Sequence, residues 1–108
     1  MKRDERRIKT GAVLVAAALM CISGVEAHAA DPVKGRELYT THCAMCHGKS
    51  GHGVMPGTPN FTRGDVLLRP DNVLLNGIKV GKGAMPAYYG ILTDREILDI
   101  IAFLRSLR

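Results

Sequence analysis

The clearest periodic pattern lies at the end of the chain. Ile97, Ile100, Ile101 and Leu104 fall at i, i+3, i+4 and i+7, and Phe103 and Leu107 widen the stripe. Thr93-Asp94-Arg95-Glu96 stands ahead of it as a capping box, Thr at the N-cap and Glu three residues on. Asp94 and Glu96 at the start and Arg105 and Arg108 at the end complement the dipole of the helix so predicted. An earlier helix is announced by Asp31-Pro32, an N-cap followed by proline at the first helical position, and should run from Pro32 to about His42. Between the two, Gly48 to Asn60 has no periodicity and reads as a loop. From Asp65 to Asn76 the apolar runs Val66-Leu67-Leu68 and Val73-Leu74-Leu75 flank Arg69-Pro70, which predicts two short helices broken at the proline, the second ending at Asn76-Gly77. Gly81 to Gly90 is a further loop. No segment alternates as a strand would, so the pattern predicts an all-α domain.

The first 29 residues read differently. Residues 11 to 22 are an uncharged apolar run preceded by Lys2, Arg3, Arg6, Arg7 and Lys9, and Ala27-His28-Ala29 follows with small residues at −3 and −1. A basic region, a short apolar region and such a site together predict a secretory signal peptide, 1–29. Twelve apolar residues are too few to span a bilayer, which takes about 20. Removal leaves one domain, 30–108, exported to the periplasm with no transmembrane anchor, and lowers the formal charge from +5 to +3.

A domain of 79 residues is near the size at which a hydrophobic core alone stops sufficing, about 70–80 residues. This one has no Trp, two Phe and three Tyr, against ten Gly and five Pro. Something other than side chains should fill and fasten its middle. A large enzyme and a multi-domain receptor are both excluded.

Of the three cysteines, Cys21 stands inside the apolar run and leaves with the leader. Met20 precedes it where a lipoprotein cysteine would follow a small residue. The remaining pair forms Cys43-Ala44-Met45-Cys46-His47. A lone C-x-x-C in an oxidising compartment can close as a disulfide, but a thioredoxin-like pair belongs in a βαβ context. A zinc site needs four ligands, for which only His42 and His52 offer themselves beside the cysteines. The histidine directly after Cys46 favours another chemistry, because C-x-x-C-H is the attachment signature of haem c. Two thioether bonds to the vinyl groups need two sulfurs close together on one edge of the porphyrin, which Cys at i and i+3 of a helical turn supplies. His47 is then thrown under the ring toward iron. One covalent haem c is the cofactor these residues predict.

With this motif in place, residues 30–108 resemble the class I c-type cytochromes over nearly their whole length. In that family the first helix carries a Gly and, four residues later, an aromatic; Gly35 and Tyr39 match. The resemblance implies that Gly35 lets the N- and C-terminal helices cross closely, packed on an aromatic of the second, here Phe103. Gly57-Thr58-Pro59-Asn60-Phe61 resembles the loop whose proline carbonyl accepts the other N–H of the proximal histidine. Pro59 lies twelve residues after His47 and is followed by Asn60, as in the family pattern; Pro56 lies nine after it. Gly81-Lys82-Gly83-Ala84-Met85-Pro86 resembles the late loop whose Met supplies the sixth iron ligand, so Met85 is the implied distal ligand, with His42 and His52 as rivals read as surface histidines. Met55, eight residues after His47, is a competing methionine on the proximal side. No Trp is present to bind a haem propionate, and Arg63, Arg69, Tyr88 and Tyr89 are the candidates left.

The function implied is electron transfer, not bond-making chemistry. Two protein ligands leave iron no open position for substrate, so no catalytic residues are assigned. The implied partners are donor and acceptor oxidoreductases, toward which Lys79 and Lys82 could dress the exposed haem edge. Without a basic stripe interleaved with aromatics, nothing points to nucleic acid. Two alternatives stay open: a haem subunit held in a larger oxidoreductase, and a five-coordinate haem protein that binds ligands or acts as a peroxidase.

Overall fold

A computed structural model describes residues 28–108. The predicted leader therefore lies outside the described residues, except for His28 and Ala29. The elements are α1 (Pro32–His42), the single turn α2 (Ala44–His47), a 3-10 turn (Val66–Leu68), α3 (Asp71–Val80) and α4 (Asp94–Arg105). Among the described residues there is no strand, only an isolated bridge between Lys82 and Met85. None of their helices is long and apolar enough to cross a membrane.

α1 begins where Asp31 predicts, its carboxylate accepting from the N–H groups of Val33 and Lys34 at 2.8 and 3.2 Å. α4 begins with the capping box: Thr93 Oγ1 accepts from the Glu96 N–H at 3.2 Å and Glu96 accepts from the Thr93 N–H at 2.9 Å. Helix ends left unpaired are costly, and these contacts close two of them. Ile97, Ile100, Ile101, Phe103 and Leu104 turn inward as the periodicity requires, and Ile97 is fully enclosed.

α1 and α4 cross at Gly35, where the atoms nearest the glycine are backbone of the other helix. A Cβ at Gly35 would stand 1.9 Å from the Asp99 carbonyl oxygen and 2.9 Å from the Ile100 nitrogen. The Phe103 ring packs on the same stretch of α1, meeting Tyr39 at 5.2 Å between centroids, with the Arg36 guanidinium over it at 5.5 Å.

α3 corrects the expectation that its helix ends at Asn76-Gly77. It runs through Gly77, where nothing crowds the backbone, and stops at Gly81, whose φ is +70°. Half-buried Leu74, Leu75 and Ile78 pack against the core cluster and carry the helix past the glycine. Arg105 ties this layer to α4. Its Nε and Nη2 donate to the carbonyls of Leu67 and Arg69 at 3.3 and 3.0 Å, and its Nη1 meets the Asp71 carboxylate at 2.5 Å.

Candidate functional site

The turn that carries the chemistry grows directly out of α1. The chain leaves the helix at Cys43, and the next turn closes on the Cys43 carbonyl, which accepts from the N–H groups of Cys46 at 3.3 Å and His47 at 3.0 Å. Cys43 and Cys46 thus sit one turn apart, as the motif requires. Both are half-buried free thiols. His42, Cys43, Cys46 and His52 are not gathered into a metal-binding cluster, and no group of three or more such ligands occurs among the described residues. The zinc reading has no geometry behind it.

Both thiols and His47 line a cavity of about 540 Å³ together with Pro59, Met85 and Tyr88. A second cavity of about 240 Å³ lies toward the core, walled by apolar residues such as Leu67, Leu74, Ile101 and Leu104. Four residues line both: His47, Pro59, Lys82 and Met85. Protein interiors are close-packed, and a void of this size reaching into the middle of so small a domain is shaped for a large apolar group. The two thiols, the imidazole and the methionine thioethers on its walls, Met55 and Met85 among them, include the donor set of a covalently attached haem, so the residues present fit that group.

His47 is buried, and its ring stacks on Phe61 with centroids 4.9 Å apart. Burial pushes its pKa below the ordinary 6.5, which keeps the imidazole neutral and its lone pair available. Nδ1 is enclosed and has no hydrogen-bond partner. The bond expected between Nδ1 and the Pro59 carbonyl is therefore not made here. That carbonyl lies beside Gly53, 3.5 Å from where a Cβ would stand, and Gly53 in turn donates its N–H to the His47 carbonyl at 2.8 Å. Burial, followed by the charge of the neighbouring Cys46, pushes the Cys43 thiol up to about 11.

The loop after His47 folds back on the motif. Val54 and Met55 both donate their N–H groups to the Cys46 carbonyl, at 2.9 and 3.1 Å. Met55 is thereby held beside the segment that carries His47. Met85 stands on the hairpin that follows α3 and lines the same larger cavity as Met55. Tyr39 supports the turn from below, its hydroxyl donating to the Gly48 carbonyl at 2.6 Å, and burial raises its pKa to about 12.

Several side chains stand elsewhere than expected. His42 is half-exposed and also lines the larger cavity: its ring meets Tyr88 edge-on at 5.9 Å, and its carbonyl accepts from the Tyr88 hydroxyl at 2.6 Å. His52 is in an exposed turn beside Ser50. Lys79 is engaged away from the cavity, paired with Asp94 at 2.6 Å, whereas Lys82 lines both cavities. Of the propionate candidates Arg69 lines the smaller cavity and Tyr88 the larger. The role of Phe61 as the face on which His47 rests has no periodic signal; only its place two residues after Pro59 hints at it. Buried Asp99 is a second residue that sequence reasoning missed. It accepts from the Asp31 N–H at 2.8 Å, fastening the start of α1 to α4, and pairs with Arg95 at 3.3 Å along α4.

Comparison with known proteins gives a consistent picture. Residues 30–104 match the family described as cytochrome c oxidase, cbb3-type, subunit III. A cytochrome c6 of Porphyra purpurea is 34% identical over 107 aligned positions, covering 91% of this chain and 93% of that protein. A cytochrome c6 of Thermosynechococcus vestitus is 31% identical over 93 positions, covering 82% of this chain and 81% of the other. The crystal structure of cytochrome c6 from the diatom Phaeodactylum tricornutum superposes with a TM-score of 0.60 at 27% identity, covering 70% of this chain and 92% of that one. A 1-butanol dehydrogenase (cytochrome c) of Thauera butanivorans is 32% identical over 85 positions, 77% of this chain but 12% of the dehydrogenase.

Proposed function

The chain belongs to the class I c-type cytochromes, and on that premise we propose that it is a single-electron carrier of the periplasm, exported by residues 1–29 and holding one covalent haem c. Cys43 and Cys46 form the thioethers, His47 and Met85 are the axial ligands, and the Pro59 carbonyl is the acceptor available to the orphaned Nδ1 of His47. The observation that supports this most is the wall common to the two cavities, which carries the imidazole of His47 and the thioether of Met85, whereas Met55 lines the larger cavity alone. The bound haem supplies the reversible one-electron couple.

What the protein does is hold its residues still and dry. Stacking on Phe61 restrains the His47 ring, and an acceptor on Nδ1 raises the basicity of the other nitrogen. A thioether opposite an imidazole favours the reduced metal over a second imidazole. The apolar inner cavity wall excludes water, so little rearranges as charge changes. Toward solvent, Met45, Val54 and Met55 are exposed around the Cys46 turn, an apolar rim against which donor and acceptor oxidoreductases can dock. The likeness to a dehydrogenase of which this chain spans only a small part supports a second reading, a haem domain working inside a larger oxidoreductase. Gel filtration of the native protein from its host separates the two.

The ligand set is tested by two variants. Met85→Ala should abolish the far-red band of the ferric protein, lower the potential and admit carbon monoxide. Met55→Ala should leave the low-spin spectrum intact. The reverse pattern would sink both the assignment and the chain path.

A further inference from the structure

The hairpin that presents Met85 depends on one glycine. α3 ends at Val80, and Gly81 follows with φ 70° and ψ 175°, a region of backbone space essentially confined to glycine. Lys82 and Met85 then bond to each other twice, N–H to carbonyl, at 3.1 and 3.0 Å. The returning limb lies directly on Gly81. A Cβ there would stand 2.6 Å from the Met85 carbonyl oxygen, 2.7 Å from the Pro86 carbonyl carbon and 2.8 Å from the Ala87 nitrogen. All three are backbone atoms, so no rotamer change relieves them. Gly83, in the same turn, faces open space. Gly48, after His47, has a similar backbone at φ 79° and ψ 151°, but its nearest obstacle is a Val54 methyl at 3.3 Å. Gly53, also on the His47 side, is crowded by the Thr58 hydroxyl at 2.5 Å, a side-chain atom, with the nearest backbone at 3.1 Å. Among these loop glycines Gly81 is the one whose three nearest atoms are all backbone below 3.0 Å.

We propose that Gly81 is the positioning residue for the Met85 thioether: its missing side chain sets how closely the limb bearing Met85 lies against the end of α3, and so keeps Met85 on the wall common to both cavities. The inference rests on Met85 as the sixth ligand. Any larger residue strains the backbone and pushes that limb outward, while the α1–α4 crossing and the Cys43–His47 turn, which Gly81 does not touch, stay as they are.

The test uses the haem-loaded protein as wild type, Gly81→Ala and Gly90→Ala, the last a glycine of positive φ that faces open space and lines neither cavity. Helicity, the far-red ferric band and titration with imidazole, which displaces a weakly held thioether, are read in each. Gly90→Ala should keep the wild-type band and imidazole affinity. Gly81→Ala should keep its helicity yet show a weakened band and bind imidazole about tenfold or more tightly, the scale expected from strain at such a backbone position. A wild type without the band would defeat the Met85 reading itself. A wild-type band and wild-type imidazole affinity in Gly81→Ala would overturn the inference with that reading intact. Loss of helicity together with the band in Gly81→Ala would also overturn it by making Gly81 a residue of the fold and not of the ligand.

Discussion

Adding one methyl group at Gly35 should unsettle the whole domain, because it lands on the backbone of the other helix. The Cβ would sit 1.9 Å from the Asp99 carbonyl oxygen and 2.4 Å from its carbon. Real Cβ contacts essentially never fall below 3.0 Å, so the helices must part by about 1 Å. A gap of about 0.5–1 Å forfeits a quarter to a half of the dispersion energy of the atoms facing it, and those atoms include the Tyr39–Phe103 pair and the enclosed Ile97 and Ile100. Overpacking typically costs about 1–3 kcal/mol and occasionally more; against backbone on both sides, the upper end applies. Alanine returns about 1 kcal/mol of helix propensity. The net loss should be about 2–3 kcal/mol, and in a domain of this size each kcal/mol moves Tm by about 4–8 °C, so Tm should fall by roughly 10–20 °C. Thermal melts of the haem-loaded protein followed by far-UV circular dichroism measure it directly. If Gly35→Ala melted at or above wild type, the crossing described here would be wrong.

Other perturbations probe the remaining supports. Tyr39→Phe removes the donor to the buried Gly48 carbonyl and leaves that group unpaired; chemical denaturation should show a loss of about 1–3 kcal/mol. Thr93→Ala breaks the capping box and should cost about 1 kcal/mol, measured the same way, with Ser in its place restoring most of it. Because burial lowers the His47 pKa below 6.5, the unfolded chain takes up a proton there before the folded one does. The stability this contributes is complete above about pH 6.5 and is lost as pH falls through the lowered folded value. Iron ligation needs the same neutral ring and acts in the same direction. The denaturant midpoint should therefore be lower at pH 5 than at pH 7, and equal midpoints would contradict the burial of this ring.

Local chemistry made much of this protein legible from its residues. An N-cap, a capping box and a stripe at helical spacing are interactions between near neighbours, and α1 and α4 start and face as those signals require. The Cys43–His47 turn is equally local, since the bonds that shape it span three and four residues. What depends on distant segments was not legible. α3 passes through Gly77 because Leu74, Leu75 and Ile78 find a surface to cover, and no residue near Gly77 carries that information. Gly35 could be read as a crossing point, but how nearly it meets the Asp99 carbonyl could not, since closeness of approach is a property of two helices together. His42 looks like a surface histidine in the chain and becomes a cavity wall when Tyr88, forty-six positions later, bonds to its carbonyl. The orientation of His47 is settled by Phe61, and the placement of Met85 by backbone contact with Gly81 across the hairpin. Composition and spacing thus determined which chemistry the chain can do. Tertiary packing alone decided where each group stands, because distances between remote residues are set by what fills the space between them.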